Sequence, residues 1–202
     1  MFIAFEGIDG SGKSTQAKLL AEHLAAAGYK VYLTFEPTDS EMGKLIRKIF
    51  SGERPADEHV IAALFAADRL DHILNTTNGI KKKLEEGYIV ICDRYYLSSY
   101  AYHSVHVDMD WVIQLNSVSA QQLKPDFCFF IDVDVETSMQ RIADSRTSTE
   151  LYETSDNLRK VRENYFKAME KLHSNENIII INGKQEVDII TEEIWNNIAL
   201  KL

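Results

Sequence analysis

The chain predicts a three-layer α/β fold, a five-stranded parallel sheet with helices on both faces, and three observations predict it. Strand-like runs alternate with helix-like segments from end to end. Several of those runs are apolar at consecutive positions, as in parallel strands buried on both faces. The intervening segments are long enough for crossover helices, which join parallel strands in a right-handed sense.

The first strand is Phe2–Phe5. A glycine-rich loop follows, and then an amphipathic helix over Lys13–Ala27. The second strand is Lys30–Phe35. The run from Val60 to Arg69 has helical periodicity, and Lys81-Lys82-Lys83 lies on a helix before the third strand, Tyr88–Cys92. That basic run reads as a solvated face. The fourth strand is Phe127–Asp132. After it, the Ser/Thr-rich stretch from Ser145 to Ser155 separates two helical segments. This stretch, within a segment of about 142–155, is either an inert loop or a lid that excludes water. The fifth strand, Asn177–Ile181, leads to a terminal helix after Gly183. Pro37, Pro55 and Pro125 all fall outside these elements. With no repeat and no composition shift, residues 1–202 read as a single domain.

Composition narrows the function classes. A formal charge of −9 argues against a basic nucleic-acid surface. Cys92 and Cys128 each sit in an apolar strand and read as buried thiols. No signal peptide or membrane-length apolar run is visible, so a cytoplasmic protein without a membrane partner is expected.

Gly7-Ile8-Asp9-Gly10-Ser11-Gly12-Lys13-Ser14 fits G-x-x-x-x-G-K-[ST] at every fixed position. Glycines let a ring of backbone N–H groups approach phosphate oxygens, and the following helix directs its positive end at them. Lys13 then reaches the outer phosphates, and the Ser14 hydroxyl ligates magnesium. Ile89-Val90-Ile91-Cys92-Asp93 is an apolar strand ending in a carboxylate, which places Asp93 near the same ion. Arg94 follows, a bidentate cation suited to a phosphoryl group in flight. No N-K-x-D guanine signature and no D-x-x-G switch occur. Phe65 and Arg69 share a helix face. That pair fits either core packing with a surface charge or a face that stacks a flat heterocycle. The histidines His59, His72 and His173 lack metal-ligand spacing.

The blocks FIAFEGIDGSGKSTQ, FEPTDSEMGKLIR, LFAADRLDH, DRYYLSSYAYH and KPDFCFFIDVD occur in that order over most of the chain. Together they resemble thymidylate kinase, a family on the P-loop NTPase fold. The resemblance implies Mg²⁺-dependent transfer of the ATP γ-phosphoryl group to the 5′-phosphate of dTMP. It implies an ATP site at Gly7 to Thr15, with Asp9 also near the acceptor's 3′-hydroxyl. Arg47 matches the arginine on the acceptor phosphate, Phe65 the ring that stacks on thymine, and Arg69 the donor to a thymine carbonyl. Tyr102 matches the residue that crowds a ribose 2′-hydroxyl. Glu36, Pro37, Ser98 and Ser99 match positions bordering that pocket. A homodimer packed through helices, including the one carrying Phe65, is implied as well.

Part of this family carries an arginine in the loop where this chain has Gly10, and the other part supplies that charge from the lid. Arg146 is the expected lid arginine, catalytic with Lys13, Arg94 and Asp9, and Arg141 is expected over the adenine. The chain departs from the family pattern at His103, where Gln is frequent, and in Ser104 to Asp110. It also departs at Glu153, which lacks a preceding Asp-Arg. His103 reads as either a base contact or a solvated loop residue. Two alternatives share the loop: another nucleoside monophosphate or deoxynucleoside kinase, and a P-loop ATPase or regulator.

Overall fold

The computed structural model describes residues 1–145, 152, 154–172 and 176–202. Its strands are β1 (Phe2–Glu6), β2 (Val31–Phe35), β3 (Ile89–Asp93), β4 (Phe127–Asp132) and β5 (Ile178–Asn182). Between β1 and β3 lie the helices α1 (Lys13–Ala26), α2 (Glu41–Phe50), α3 (Glu58–Leu74) and α4 (Ile80–Glu85). After β3 come α5 (Tyr96–Tyr102), a 3-10 turn (His103–Val105), α6 (Met109–Leu115) and α7 (Ser117–Gln122). The remaining helices are α8 (Val135–Ser145), α9 (Ser155–Leu172) and α10 (Val187–Ala199). The sheet runs β2-β3-β1-β4-β5 and every pairing is parallel.

Strand alternation sorts the side chains into two cores. Phe2, Ala4, Val90, Cys92, Cys128 and Phe130 enter one, where they meet Ile73 of α3, Tyr100 of α5 and Val161 of α9. Ile3, Phe5, Ile91, Phe129 and Ile131 enter the other, covered by Leu20 and Leu24 of α1 and Ile190 and Ile194 of α10. Each large apolar side chain buried this way contributes about 1.5–3 kcal/mol. Both cysteines fall on the first face, free and buried.

Several strand bounds shift by one residue from the sequence expectation. β1, β3 and β5 end later, on Glu6, Asp93 and Asn182. Polar residues end these strands because they remain in the ladder: Asp93 pairs with Phe5 and Phe35, and Glu6 with Phe130. This register brings the carboxyl ends of β2, β3, β1 and β4 to one edge, where ligands bind on such sheets. The expected segment at 142–155 starts later too, because residues 142–145 form the last turn of α8. No helix among the described residues is long and apolar enough to cross a membrane.

Candidate active site at the carboxyl edge of the sheet

The loop after β1 turns back on itself, with the Ser11 N–H donating to the Ile8 carbonyl at 3.2 Å. Ile8 is buried and anchors the loop, while Gly12, at φ 96°, starts α1 in the left-handed region. The Lys13 Nζ donates to the Ile8 carbonyl at 3.4 Å and lies 3.6 Å from Asp9 Oδ1. Burial and the neighbouring Arg94 push the lysine below its ordinary value, against the pull of Asp9 and Asp93. Ser14, exposed beside Thr15, donates its hydroxyl to Asp93 Oδ2. The other Asp93 oxygen, Oδ1, is buried without a partner. A carboxylate with one orphaned oxygen beside a hydroxyl is a donor set that fits a hard, oxygen-seeking cation such as magnesium.

Gly10 has a steric cause. Its φ is 72°, and a Cβ there would lie 2.5 Å from the Ser138 carbonyl of α8 and 3.1 Å from Ile142 Cγ1. No side chain fits without a shift of α8, so the loop takes glycine there. Ser138 also donates its hydroxyl to the Asp9 carbonyl at 2.6 Å, clamping α8 to the loop.

Arg94 closes the other side. It has a φ of 71°, and its backbone N–H donates to the Phe5 carbonyl at 2.9 Å. Its Nη1 reaches the Gly7 carbonyl and Ser98 Oγ, both at 3.2 Å. Its Nη2 bonds to Asp9 Oδ1 and donates to the Tyr102 hydroxyl at 3.1 Å. Tyr102 in turn donates to Asp9 Oδ2 at 2.8 Å and accepts from the Asp9 N–H at 3.0 Å. Burial raises the Asp9 carboxyl, but Arg94, Lys13 and the Tyr102 hydroxyl overcome it and hold the group well below the usual carboxylate range.

Behind this ring lies a second, drier network. Arg69, 1% exposed, donates Nε to Glu36 Oε2 at 2.8 Å, Nη1 to Ser99 and Asn116, and Nη2 to the Tyr95 carbonyl. Each of its three nitrogens is therefore engaged by the protein. His72 bridges Glu36 Oε1 at 3.1 Å and Thr34 Oγ1 at 2.8 Å. Glu36, His72 and Cys92 lie close enough to suggest a metal cluster. The carboxylate is already committed to Arg69 and His72, so the group reads as a hydrogen-bond network. Arg47, half-exposed on α2, reaches the Pro37 carbonyl at 2.8 Å and Asp39 at 3.0 Å. Phe65 stands between Phe50 and His103, with ring centroids 5.8 and 4.9 Å away. His103 is not solvated: it is 3% exposed and its Nδ1 has no partner. Burial and Arg69 hold it neutral, its pKa lowered to about 3.

The described residues thus bring Asp9, Lys13, Arg94, Ser98 and Tyr102 together, with Ser14 and Asp93 beside them. Glu36, Arg69 and Ser99 form the layer behind. Arg141 links the Ser11 carbonyl at 3.2 Å to that of Gly183 at 2.9 Å. Arg146 lies outside the described residues, as does His173. Sequence reasoning missed Asp68, whose carboxylate accepts from the Thr38 N–H and from the Thr38 and Ser40 hydroxyls at 2.6–2.7 Å. It missed Tyr152 as well. That hydroxyl donates to Glu58 at 2.6 Å, and its ring packs edge-on to Phe50 at 5.3 Å. The roles of Glu6 and Tyr165 also went unread: Glu6 lies in the first block, but nothing in the sequence shows which groups it binds.

Comparison with known proteins gives one consistent result. The family model described as thymidylate kinase matches residues 5–194. A Pyrococcus horikoshii protein named "Probable thymidylate kinase" is 44% identical over 199 residues, covering 96% of this chain and 93% of the relative. Proteins of the same name from Methanocaldococcus jannaschii and Methanococcus aeolicus are each 41% identical. They cover 96% and 100% of this chain, and 93% and 95% of the relatives.

The Asp9 carboxyl carries a pH signature. Its folded pKa lies below the ordinary 3.8, so the stability it confers is fully present above that value and is lost as pH falls below it. We predict that Asp9→Asn destabilises the protein by about 3–5 kcal/mol at pH 7. That deficit narrows as the pH drops below about 4. Denaturant unfolding of both proteins across this range checks it, and a pH-independent deficit contradicts it.

Proposed function

This chain belongs to the thymidylate kinase family, and we propose that it transfers the γ-phosphoryl group of ATP to the 5′-phosphate of dTMP, giving dTDP and ADP. One observation carries the reading to the reacting atoms. Asp9 joins the loop lysine, Lys13, to Arg94, so donor and acceptor cations meet at one carboxylate. Two phosphates that approach each other accumulate negative charge, and catalysis is then mostly positioning and neutralisation. The acceptor is already an anion and needs no strong base.

In this reading Gly7 to Thr15 cradle the ATP phosphates, and Lys13 draws charge from the outer ones. Magnesium, held by Ser14 and Asp93, would supply further neutralisation. Arg94 and Arg47 face the acceptor phosphate, Asp9 the 3′-hydroxyl, and Tyr102 the sugar edge where a ribose would carry its 2′-hydroxyl. Phe65 stacks on the base, and Glu36, Pro37, Ser98 and Ser99 border the pocket. Arg69 donates to a base carbonyl only by exchanging one of its protein partners, so we assign it first to holding Glu36. Arg141 lies at the adenine edge. The whole chain acts as a single kinase domain, cytoplasmic in keeping with its two free thiols. The exposed face of α3, with Val60 and Leu74 about half exposed, supports a homodimer packed through that helix. Light scattering checks this, and a monomeric mass at micromolar concentration contradicts it.

Two further measurements test the chemistry. With ATP and magnesium, dTMP should turn over faster than dUMP, dCMP or thymidine, and Lys13→Ala should lower turnover by about 10²-fold or more with the fold intact. Faster turnover of thymidine, or free phosphate without dTDP, overturns the assignment. Arg146→Ala should reduce kcat by about 10²-fold or more while changing the KM for dTMP little, because its contact belongs to the transition state. A loss confined to KM places Arg146 in ground-state binding.

A further inference from the structure

Glu6, the last residue of β1, lies in the block FIAFEGIDGSGKSTQ but has no role assigned to it above. Its side chain is 0% exposed, yet it gathers four donors from two helices. Oε1 accepts from the Tyr95 N–H at 2.9 Å and the Ser98 N–H at 3.1 Å. Oε2 accepts from the Ser98 hydroxyl and from the Tyr165 hydroxyl at 3.1 Å. The helix these backbone groups open, α5, has no capping side chain of its own. Glu6 therefore caps it from the neighbouring strand. Ser98 is also a partner of Arg94 Nη1 at 3.2 Å. Tyr165 ties the same cluster to the Gly7 carbonyl at 3.2 Å.

We propose that Glu6 is the positioning residue for Arg94, holding the guanidinium through Ser98 in the orientation that phosphoryl transfer requires, and that it does so in its ionised form. The inference rests on the kinase reading above. The polarity of the chain supplies the reason. With Glu6 ionised, Arg94 donates to Ser98 Oγ and Ser98 donates onward to the carboxylate, so every hydrogen has an acceptor. Protonation places a hydrogen on one of two oxygens that already face four donors. A hydrogen on Oε1 meets the Tyr95 and Ser98 N–H groups, and a hydrogen on Oε2 meets the Ser98 and Tyr165 hydroxyls. One contact must then reverse or break, and Ser98, which lies on both sides, is the member that Arg94 shares. Burial raises the Glu6 carboxyl, while the Ser98 hydrogen bonds and Arg94 lower it, leaving a pKa of about 7. The groups that face it are Lys13 of α1, Arg69 of α3, Cys92 and Arg94 at the end of β3, and Cys128 of β4. Tyr100 of α5 and Tyr165 of α9 face it too, with Tyr96 and Glu176 across a small shared cavity.

The test is the pH dependence of kcat at saturating ATP, magnesium and dTMP, for the natural protein and for Glu6→Gln. It is paired with ¹³C carboxyl NMR of the intact, glutamate-labelled protein. For the natural protein, kcat should rise with pH through a midpoint near 7, and the Glu6 carboxyl should titrate at the same midpoint. Glu6→Gln should lose that limb and plateau about tenfold lower, with the KM for dTMP changed by less than about twofold. Retention of the limb and the plateau by Glu6→Gln overturns the proposal. So does a kcat limb in the natural protein whose midpoint departs from that of the Glu6 carboxyl. Should Glu6→Gln not fold, Ser98→Ala takes its place: loss of the kcat limb while Glu6 still titrates, at a midpoint above that of the natural protein because the Ser98 hydroxyl is gone, supports the proposal, and a retained limb overturns it. An enzyme inactive toward dTMP at every pH overturns the kinase reading, and the positioning role with it.

Discussion

The ion pair between Arg94 and Asp9 holds the glycine loop against the helix that follows β3. Removing two charges from water costs several kcal/mol per ion, which mutual attraction offsets only when further hydrogen bonds complete the geometry. Here Tyr102 bonds to both partners, and the Gly7 carbonyl and Ser98 take the remaining fork of the arginine. Arg94 adopts a left-handed backbone conformation that costs a non-glycine residue about 1–3 kcal/mol. That cost is met because both its main chain and its side chain are tied to the end of β1 and the loop. Lys13 joins through the same carboxylate, so the spacing of the two cations follows from one acid.

Behind the ring, adjacent residues of α3 divide the structural work. Arg69 turns into the core and binds Glu36, Ser99, Asn116 and the Tyr95 carbonyl, which locks α3 to β2 and α5. Asp68 turns the other way and organises the loop after β2 by accepting from Thr38 and Ser40. Ser40 then caps α2 through the Gly43 N–H, and α2 carries Arg47. An acid and a base at consecutive positions thus fix two different parts of the carboxyl edge of the sheet.

Periodicity and composition made the sheet, its helices and the glycine loop legible, because local sequence carries those signals. Asp93 and Arg94 were legible for a related reason: a carboxylate that closes an apolar run stands out. Asp68, Glu6 and Tyr165 were not, since their partners lie 28 to 159 positions away and no local pattern marks them. His103 failed differently. Its position reads as either a base contact or a solvated loop residue, and tertiary packing against Phe65 buries it, which removes the second reading. Gly10 was read as a missing charge, and the structure supplies the steric reason in the Ser138 carbonyl.

The clamp between Ser138 and the Asp9 carbonyl gives α8 a mechanical character. Ser138 lies one turn into a helix of 11 residues, so the contact acts near one end of a rod about 16 Å long. A small tilt at the loop end is amplified at Ser145, from which the chain continues toward Arg146. The seating of the glycine loop and the direction in which the chain leaves α8 are therefore one variable. A substitution that loosens this fulcrum shifts the loop and the far end of α8 together, even where it touches neither.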